Sequence, residues 1–455
     1  MRCGWMKSLN RSPGHFMWRS AVVIAAGVAV LAGPVKAQTP VDSGLATYIA
    51  KIKAVDHHAH PMLPVLPGAP ADTDFDALPL DDIPPFPLPW RLTLESPQWA
   101  AAARHVYALS GVDTGAVVAT ARHRLMTAHA VRFAEWALDQ AGIQVMFANR
   151  ISLGPGLQPP RFRWVAFADP LLFPLDTRGE AERTPDTRPL YPKEATLLRR
   201  YLSELGLDAV PGTLDEYVAR VIVPTITRWH DAGAVAIKFE AAYLRPLDFA
   251  DPDSAEAAGV YATYAVGGIP ERDEYKELED ELFRLIAREA GQVGLAVHLH
   301  VFEGFGSFYD MDGSRPALLE PVFDDPSLRG TTFVIIHGGW PFVGETEAML
   351  AKPNVYADIS MMDLALAPAE VADVLRHWLE RWPNKVMFGS DAFEGGDRQG
   401  WELGAAVAST TARRALGMAL TAMLRDGEIS RDRARHLARM VLRENASRLY
   451  RLGLP

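Results

Sequence analysis

Cysteine is almost absent from this chain, and its absence limits what can stabilise the fold. The only cysteine among the 455 residues is Cys3, which lies in a segment with the character of an export signal. Once that segment is removed, no cysteine remains to form a disulfide. The mature fold must therefore depend on a hydrophobic core, for which 49% hydrophobic residues supply ample material.

The N-terminal segment lacks acidic residues and also lacks an apolar run long enough to span a bilayer. Residues 1–20 are basic, residues 21–32 are small and apolar, and Val35-Lys36-Ala37 fits a signal-peptidase site. A membrane-spanning helix needs about 20 apolar residues, which makes an uncleaved anchor the weaker interpretation. We predict a signal peptide at residues 1–37 with cleavage after Ala37. Residues 38–455 would form a single periplasmic or secreted domain.

Basic residues are in deficit over the whole chain. Lys and Arg total 46 against 56 Asp and Glu, a net charge of −10, and loss of the five basic residues of the signal segment makes it −15. An acidic surface argues against nucleic acids and anionic membranes as partners. We expect a small-molecule substrate and no membrane association after cleavage of the signal. A homo-oligomer is possible on the sequence alone.

Two common signatures are also missing, since no repeat of fixed length is visible and no GxGxxG follows a predicted strand. Instead, short buried-type strands alternate with helical sequence in eight units that begin near Ile52. Eight units favour a closed TIM (β/α)₈ barrel over an open doubly wound sheet. We predict this α/β barrel, with a helical C-terminal extension from Trp401 and long loops after strands 1, 3 and 4.

Residues 61–90, which follow the first strand, contain nine prolines, five aspartates and no basic residue. This composition excludes a regular helix or a central strand. The segment is either a solvated surface excursion or a lid over the strand end, because long loops that follow strands often carry binding function.

Chemically active side chains recur at the predicted strand ends, where TIM barrels place their active sites. They are His58 and His60 on strand 1, Lys238 on strand 4, His298 and His300 on strand 5, His337 on strand 6, and Asp391 on strand 8. Imidazole and carboxylate groups are ligands of divalent metals. Five such ends in register are hard to explain as packing, so the pattern predicts a metal site.

The two-residue periodicity of a strand assigns the residues at the end of strand 1 to two opposite faces. Alternate residues share a face, so Asp56, His58 and His60 would lie together, with Asp56 beneath the two histidines. His57 would point away from the site and be structural. By the same periodicity, His298 would lie one layer deeper than the end of strand 5 as a packing or supporting residue.

The runs VDHHAH at 55–60, IIHGGWP at 335–341 and FGSDA at 388–392 together resemble the amidohydrolase superfamily. The resemblance is to its second large branch, which contains metal-dependent hydrolases and decarboxylases. IKFEAAYLR at 237–245 and LHVFEGFG at 299–306 are similar to the amidohydrolase-like domains fused to some glutamine synthetases. The resemblance spans most of residues 50–395, and the order of the motifs makes it specific.

The resemblance implies a role for each strand-end residue. His58, His60, His300 and Asp391 would be metal ligands, and Asp391 would also accept and return a proton. His337 would polarise the substrate or complete a second metal position. The resemblance therefore implies a divalent cofactor, most readily zinc with manganese as an option, as one or two ions.

Lys238 has two open roles. In binuclear members of the superfamily a carboxylated lysine on strand 4 bridges two metals, whereas the second branch usually works with one metal. An ordinary ammonium group would repel a cation and could bind a substrate carboxylate instead. Both roles stay open at this point.

Arg150, Tyr243 and Arg245 are candidate substrate contacts, because a guanidinium group can hold a carboxylate with two hydrogen bonds. Each could equally form a surface ion pair. The resemblance implies hydrolysis of an amide or ester bond by metal-activated water, with Asp391 as general base and then acid. Non-hydrolytic decarboxylation of an aromatic or enoic acid is the alternative, and a non-catalytic metal or solute carrier is a third possibility.

Overall fold

The computed structural model of the protein describes residues 40–65, 68, 70–79, 83, 87–110, 115–184, 186–302 and 308–454. The signal segment lies outside the described residues, so the signal peptide, its cleavage after Ala37 and the domain boundary at residue 38 stay predictions. Among the helices that the structure does describe, none is both long and apolar enough to cross a membrane.

Eight parallel strands form the centre of the fold. They are β1 (Ala54–Ala59), β2 (Ile143–Asn149), β3 (Phe162–Phe167), β4 (Ala234–Phe239), β5 (Ala296–His300), β6 (Phe333–Ile336), β7 (Val355–Asp358) and β8 (Val386–Met387). Each strand pairs with the next in chain order. The end of β1 meets the segment after β8 through a parallel bridge between Ala59 and Ala392. This bridge closes the sheet, and the predicted TIM barrel is confirmed.

Helices connect the strands and continue past the last one. In the described residues they are α1 (Ser43–Ala50), α2 (Pro97–Tyr107), α3 (Gly115–His129), α4 (Phe133–Ala141), α5 (Arg178–Arg183), α6 (Tyr191–Glu204), α7 (Leu214–Tyr217), α8 (Val223–Asp231), α9 (Ser254–Tyr264), α10 (Arg272–Val293), α11 (Glu320–Asp324), α12 (Val343–Met349), α13 (Met362–Ala365), α14 (Pro368–Arg381), α15 (Trp401–Arg425), α16 (Arg431–Arg439) and α17 (Asn445–Leu449). The predicted helical C-terminal extension is therefore present.

The helical segment that follows Thr213 is interrupted. Thr213 is the N-cap of α7, and its side chain accepts a hydrogen bond from Glu216 N. A π-helical stretch, Val218–Ile222, then separates α7 from α8. The wider turn ends two residues before Pro224, which has no N–H to donate to the preceding turn.

The three predicted long connections differ in character. Those after β3 and β4 contain the short helices α5 to α9, whereas the connection after β1 has no α-helix among its described residues before α2. Its prolines explain this, because proline removes backbone donors and restricts the residue before it. The acidic segment is therefore free to follow the surface of the barrel mouth.

The interior of the barrel is filled by apolar side chains from seven of its strands. The cluster contains Val55, Val145, Phe147, Val165, Ala236, Ala296, Val334, Ile336, Met387 and, from α17, Ala446. Asn445 anchors α17 beneath β8, since its amide donates hydrogen bonds to Pro383 O (2.9 Å) and Val386 O (2.8 Å). The C-terminal segment therefore forms the floor of the barrel, opposite the strand ends that carry the histidines.

Candidate metal centre

Three side chains from distant parts of the chain meet at the mouth of the barrel. His58 on β1, His337 after β6 and Asp391 after β8 each offer a ligand atom, and these atoms all lie within 4.8 Å of one another. His58 Nε2 is 3.1 Å from Asp391 Oδ1, and His337 Nδ1 is 3.8 Å from Asp391 Oδ2. The predicted strand-end residues therefore converge, with His337 as a member of the central group.

The backbone at two of these residues adopts a conformation that is unusual for residues other than glycine. His337 has φ of 67° and Asp391 has φ of 51°, both in the left-handed region. Asp391 is held there by a hydrogen bond from its N–H to His58 O (2.7 Å). Such strain persists where the surrounding structure enforces it, often at functional sites, and here it turns both side chains toward the site.

His60 lies at the edge of this group and is oriented by the acidic loop. Its Nε2 is 3.5 Å from Asp391 Oδ1, while its Nδ1 is 2.9 Å from Asp76 Oδ2. When one ring nitrogen of a histidine donates a hydrogen bond to a carboxylate, the tautomer is fixed and the other nitrogen is directed at a metal. We did not predict Asp76 from the sequence, although the loop composition had suggested a lid as one of two interpretations.

Three alternate aspartates of the acidic loop, residues 61–90, bind basic side chains of the rest of the protein. Asp72 binds Arg150, Asp74 binds Arg200, and Asp76 binds His60. The described part of the loop therefore lies over the strand ends, which favours the lid interpretation. A search for aspartates spaced by two residues after the histidine pair would have identified this feature.

Burial determines the protonation of the central side chains. It lowers the pKa of His58 and His337 well below the usual range, and the nearby Lys238 ammonium adds to the effect. Burial also lowers the pKa of His60, but the Asp76 and Asp391 carboxylates outweigh it and the pKa is raised. For Asp391, burial raises the pKa to about 6. His58 and His337 are thus held neutral, the form that binds metals.

His300 lies beside the central group. Its Nδ1 is 3.1 Å from His337 Nε2 and 3.1 Å from the Tyr243 hydroxyl. The structure therefore places the predicted ligand His300 and the predicted substrate contact Tyr243 together, on the side of the site formed by β5 and β6.

Lys238 forms a buried ion pair that the sequence analysis did not anticipate. Its Nζ is 3.0 Å from Glu240 Oε1, and Glu240 Oε1 is in turn 4.0 Å from His60 Nε2. The Glu240 N–H donates to both oxygens of Asp169. In the structure Lys238 is therefore occupied by a carboxylate of the protein itself, and it is not one of the three central donors.

The two arginines predicted to contact substrate are committed to internal carboxylates. Arg150 is fully buried and donates two hydrogen bonds to Asp72 (2.8 and 2.9 Å) and one each to Pro61 O and Ser152 O. Arg245 binds Glu279 and Asp280, each at 2.7 Å. The deep burial of both guanidinium groups makes these carboxylate partners necessary, although Arg245 also lines a cavity together with Tyr243.

Asn149, the last residue of β2, is a buried polar residue whose role we did not predict. It is paired in register with Val165, a residue of the barrel interior, so its side chain also faces the interior. The pairing of Ala59 with Ala148 makes it a neighbour of His60. Its amide is fully buried and has no hydrogen-bond partner among the described residues, which leaves both its donor and its acceptor available to a ligand or water.

The predicted division of β1 into two faces is wrong for His57. The register of β1 with β2 shifts between Asp56 and Ala59, which breaks the simple alternation. His57 lies beneath the site next to His298, with ring centroids 4.5 Å apart. Asp56 accepts hydrogen bonds from Ser390 N (2.8 Å) and Oγ (2.6 Å), and thereby positions the turn that carries Asp391.

The donor set fits a divalent cation. Neither ring nitrogen of His58 has a hydrogen-bond partner among the described residues, although Nε2 approaches Asp391 closely. A buried polar atom without a partner is costly, and two imidazoles with a carboxylate form a donor set suited to zinc or manganese. The arrangement is thus consistent with a metal centre.

Comparisons with known proteins identify the family and the fold. The model of a family described as amidohydrolase matches residues 55–452. A crystal structure of a Lactobacillus casei protein, provisionally described as a metal-dependent hydrolase, is 16% identical, with a TM-score of 0.58 over 91% of this chain and 99% of that one. Uronate isomerase from Thermotoga maritima is 13% identical, with a TM-score of 0.52 over 90% and 96%.

A third structure, glucuronate isomerase from Caulobacter crescentus, is 12% identical, with a TM-score of 0.53 over 90% of this chain and 94% of that one. Identities this low show a shared fold and leave the reaction open. A search of curated proteins finds no match.

Proposed function

Because this chain belongs to the amidohydrolase family, we propose that it is a metal-dependent hydrolase that cleaves an amide or ester bond of a small substrate. The observation that carries the proposal is the convergence of the ligand atoms of His58, His337 and Asp391 within 4.8 Å. The family match supports metal-dependent chemistry, and the specific reaction is our inference from the site.

We propose one divalent ion, held by His58, His337 and Asp391 with His60 at its edge. A bound ion of this kind lowers the pKa of water and polarises a carbonyl group. The pairing of Lys238 with Glu240 supports a single ion, because an ammonium group in an ion pair is not a metal ligand. Zinc is the favoured metal and manganese the alternative.

Asp391 is placed to move protons at this site. Its Oδ1 faces His58 and His60, while its Oδ2 faces His337. The side chain retains 15% exposure, more than that of His58 or His337, so water can reach it. In the proposed reaction the Asp391 carboxylate accepts a proton from the attacking water and returns it to the leaving group.

A cavity beside the site supports a small substrate. Its volume is about 370 Å³, within the range of small-molecule sites. Tyr243 lines this cavity, and its hydroxyl is 3.1 Å from His300 Nδ1. A panel of amides, esters and carboxylic acids tests the reaction: hydrolysis supports the proposal, whereas carbon dioxide release from acids alone would identify a decarboxylase. Metal binding without turnover of any compound would indicate a carrier.

The loop residue Asp76 should control metal affinity through His60. Asp76→Asn is expected to weaken binding of zinc by about 10- to 100-fold, since it removes the carboxylate that orients the ring. The measurement is competition with a chromophoric chelator. Asp74→Asn is the matched control, because Asp74 lies in the same loop but binds Arg200 and Ser152. Equal affinity losses in the two variants would show that Asp76 acts only by holding the loop.

A further inference from the structure

The hydroxyl group of Tyr450, near the C-terminus, bridges two buried histidines at the floor of the barrel. It is 2.6 Å from His57 Nε2 and 2.7 Å from His298 Nε2. The Tyr450 ring packs edge-to-face on Phe147, with centroids 4.7 Å apart. The C-terminal segment therefore places one polar group inside an otherwise apolar cluster.

A series of hydrogen bonds continues from this floor to the metal centre. His57 Nδ1 is 3.0 Å from Asp358 Oδ2. Asp358 Oδ1 accepts hydrogen bonds from His337 N (2.9 Å) and from Ser360 Oγ (2.8 Å). Ser360 Oγ is also 2.9 Å from His337 Nδ1. Tyr450 and the proposed ligand His337 are thus linked through three intervening side chains.

The chemistry of these groups assigns the hydrogens in the lower half of the series. The Asp358 carboxylate only accepts, so the Nδ1–H of His57 donates to it and the Nε2 of His57 accepts from the Tyr450 hydroxyl. The oxygen of Tyr450 then accepts from Nε2–H of His298. This leaves His298 Nδ1 as an unprotonated acceptor, in keeping with its lack of a partner among the described residues.

The upper half sets the tautomer of His337. Because Ser360 donates its hydroxyl hydrogen to Asp358, its oxygen accepts from Nδ1–H of His337. The proton is then on Nδ1, and Nε2, which is 3.1 Å from His300 Nδ1, is the nitrogen that keeps a lone pair for a metal. Each group in this series of hydrogen bonds therefore has one consistent assignment as donor or acceptor, and the series ends at His337, a proposed metal ligand.

We infer that Tyr450 is a positioning residue for the metal centre, which acts through His57, Asp358 and Ser360 to fix the tautomer and orientation of His337. The inference rests on the proposed metal centre. It assigns the C-terminal segment a role beyond closing the barrel floor, since removal of the Tyr450 hydroxyl group should change the affinity of the site for its metal.

Tyr450→Phe tests the inference because it keeps the ring and removes only the hydroxyl. The probe is Co²⁺, whose affinity is measured by chelator competition and whose visible absorption reports ligand geometry. We expect the Kd for Co²⁺ to rise about 10-fold, which is the usual loss of affinity when a group that orients a metal ligand is removed. The absorption bands should also change. A purely structural role would lower the thermal midpoint without altering either readout in the folded protein.

Tyr261→Phe is the matched control. Tyr261 is a fully buried tyrosine, and its hydroxyl donates to Pro211 O (3.0 Å), away from the site. The control should bind Co²⁺ as the wild type does. An unchanged Kd and spectrum in Tyr450→Phe would overturn the inference, whereas a wild type that binds no Co²⁺ would instead refute the proposed metal centre.

His57→Asn provides a second variant that also serves if Tyr450→Phe does not fold. Asparagine can donate to Asp358 in place of Nδ1 but cannot reach Tyr450. We expect weaker Co²⁺ binding here too, and no additional loss in the double variant, because two changes in one series are not additive. Full additivity of the two losses would contradict a connection from Tyr450 through His57.

Discussion

Asp391→Asn is expected to lower kcat by about 10²- to 10⁴-fold, the usual contribution of a positioned general base. Asparagine has nearly the same shape and retains an oxygen, but it cannot accept a proton from water at neutral pH. Asp391 is the member of the central group that approaches His58, His60 and His337 together. Metal content must be measured with kcat, so that loss of the proton acceptor is separated from loss of the ion.

A nearby buried carboxyl group provides the control. Asp363 is fully buried and has no hydrogen-bond partner for its oxygens among the described residues, and burial raises its pKa well above the usual range. Because Asp363 is thereby held neutral, Asp363→Asn should change kcat little. If Asp391→Asn kept a full complement of metal and most of its turnover, Asp391 would not be the proton acceptor.

Arg150→Met should destabilise the protein by about 3–5 kcal/mol, the cost of removing one partner of a buried ion pair. Arg150 is fully buried, and its loss would leave the carboxylate of Asp72, in the acidic loop, uncompensated. Chemical denaturation measures the free energy of unfolding. Replacing Asp72 by leucine in the same chain should recover much of the loss, since no unpaired charge then remains.

Arg200→Met is the matched control for this prediction. Arg200 binds Asp74 of the same loop, but its side chain is 39% exposed, and exposed pairs contribute only about 0–1 kcal/mol. The two arginine variants should therefore differ clearly in unfolding free energy. Similar small losses in both would mean that Arg150 does not anchor the loop in the way described.

The barrel could be predicted because its signal is local and repeated. β4 carries Lys238 directly before its last residue, Phe239, where a strand end was predicted, since a buried parallel strand is a mostly apolar run with clear boundaries. The strand-end histidines and Asp391 followed from the same pattern. The family resemblance then supplied roles that the pattern alone does not give.

The remaining features depend on contacts that no local pattern reveals. Asp76 reaches His60 from a loop without periodicity, and Arg150 meets Asp72 across 78 residues. His57 lies in the barrel interior, as does Val55 two residues before it, whereas we had predicted opposite faces for His57 and His58. The register shift of β1 between Asp56 and Ala59 lets both histidines face the barrel. Tyr450 lies far from every motif in the sequence, and only the packing of α17 against the barrel floor brings it to the histidines.

The most direct test of the metal centre is the metal content of the purified protein, determined by mass spectrometry of the elements, for the wild type and for His58→Ala. We predict one divalent ion per wild-type chain and almost none in the variant. His105→Ala should keep the full complement, because His105 is exposed and its ring lies against the backbone carbonyl of Gln140. A wild type without stoichiometric metal, or a His58→Ala variant that keeps its ion, would contradict the proposed centre.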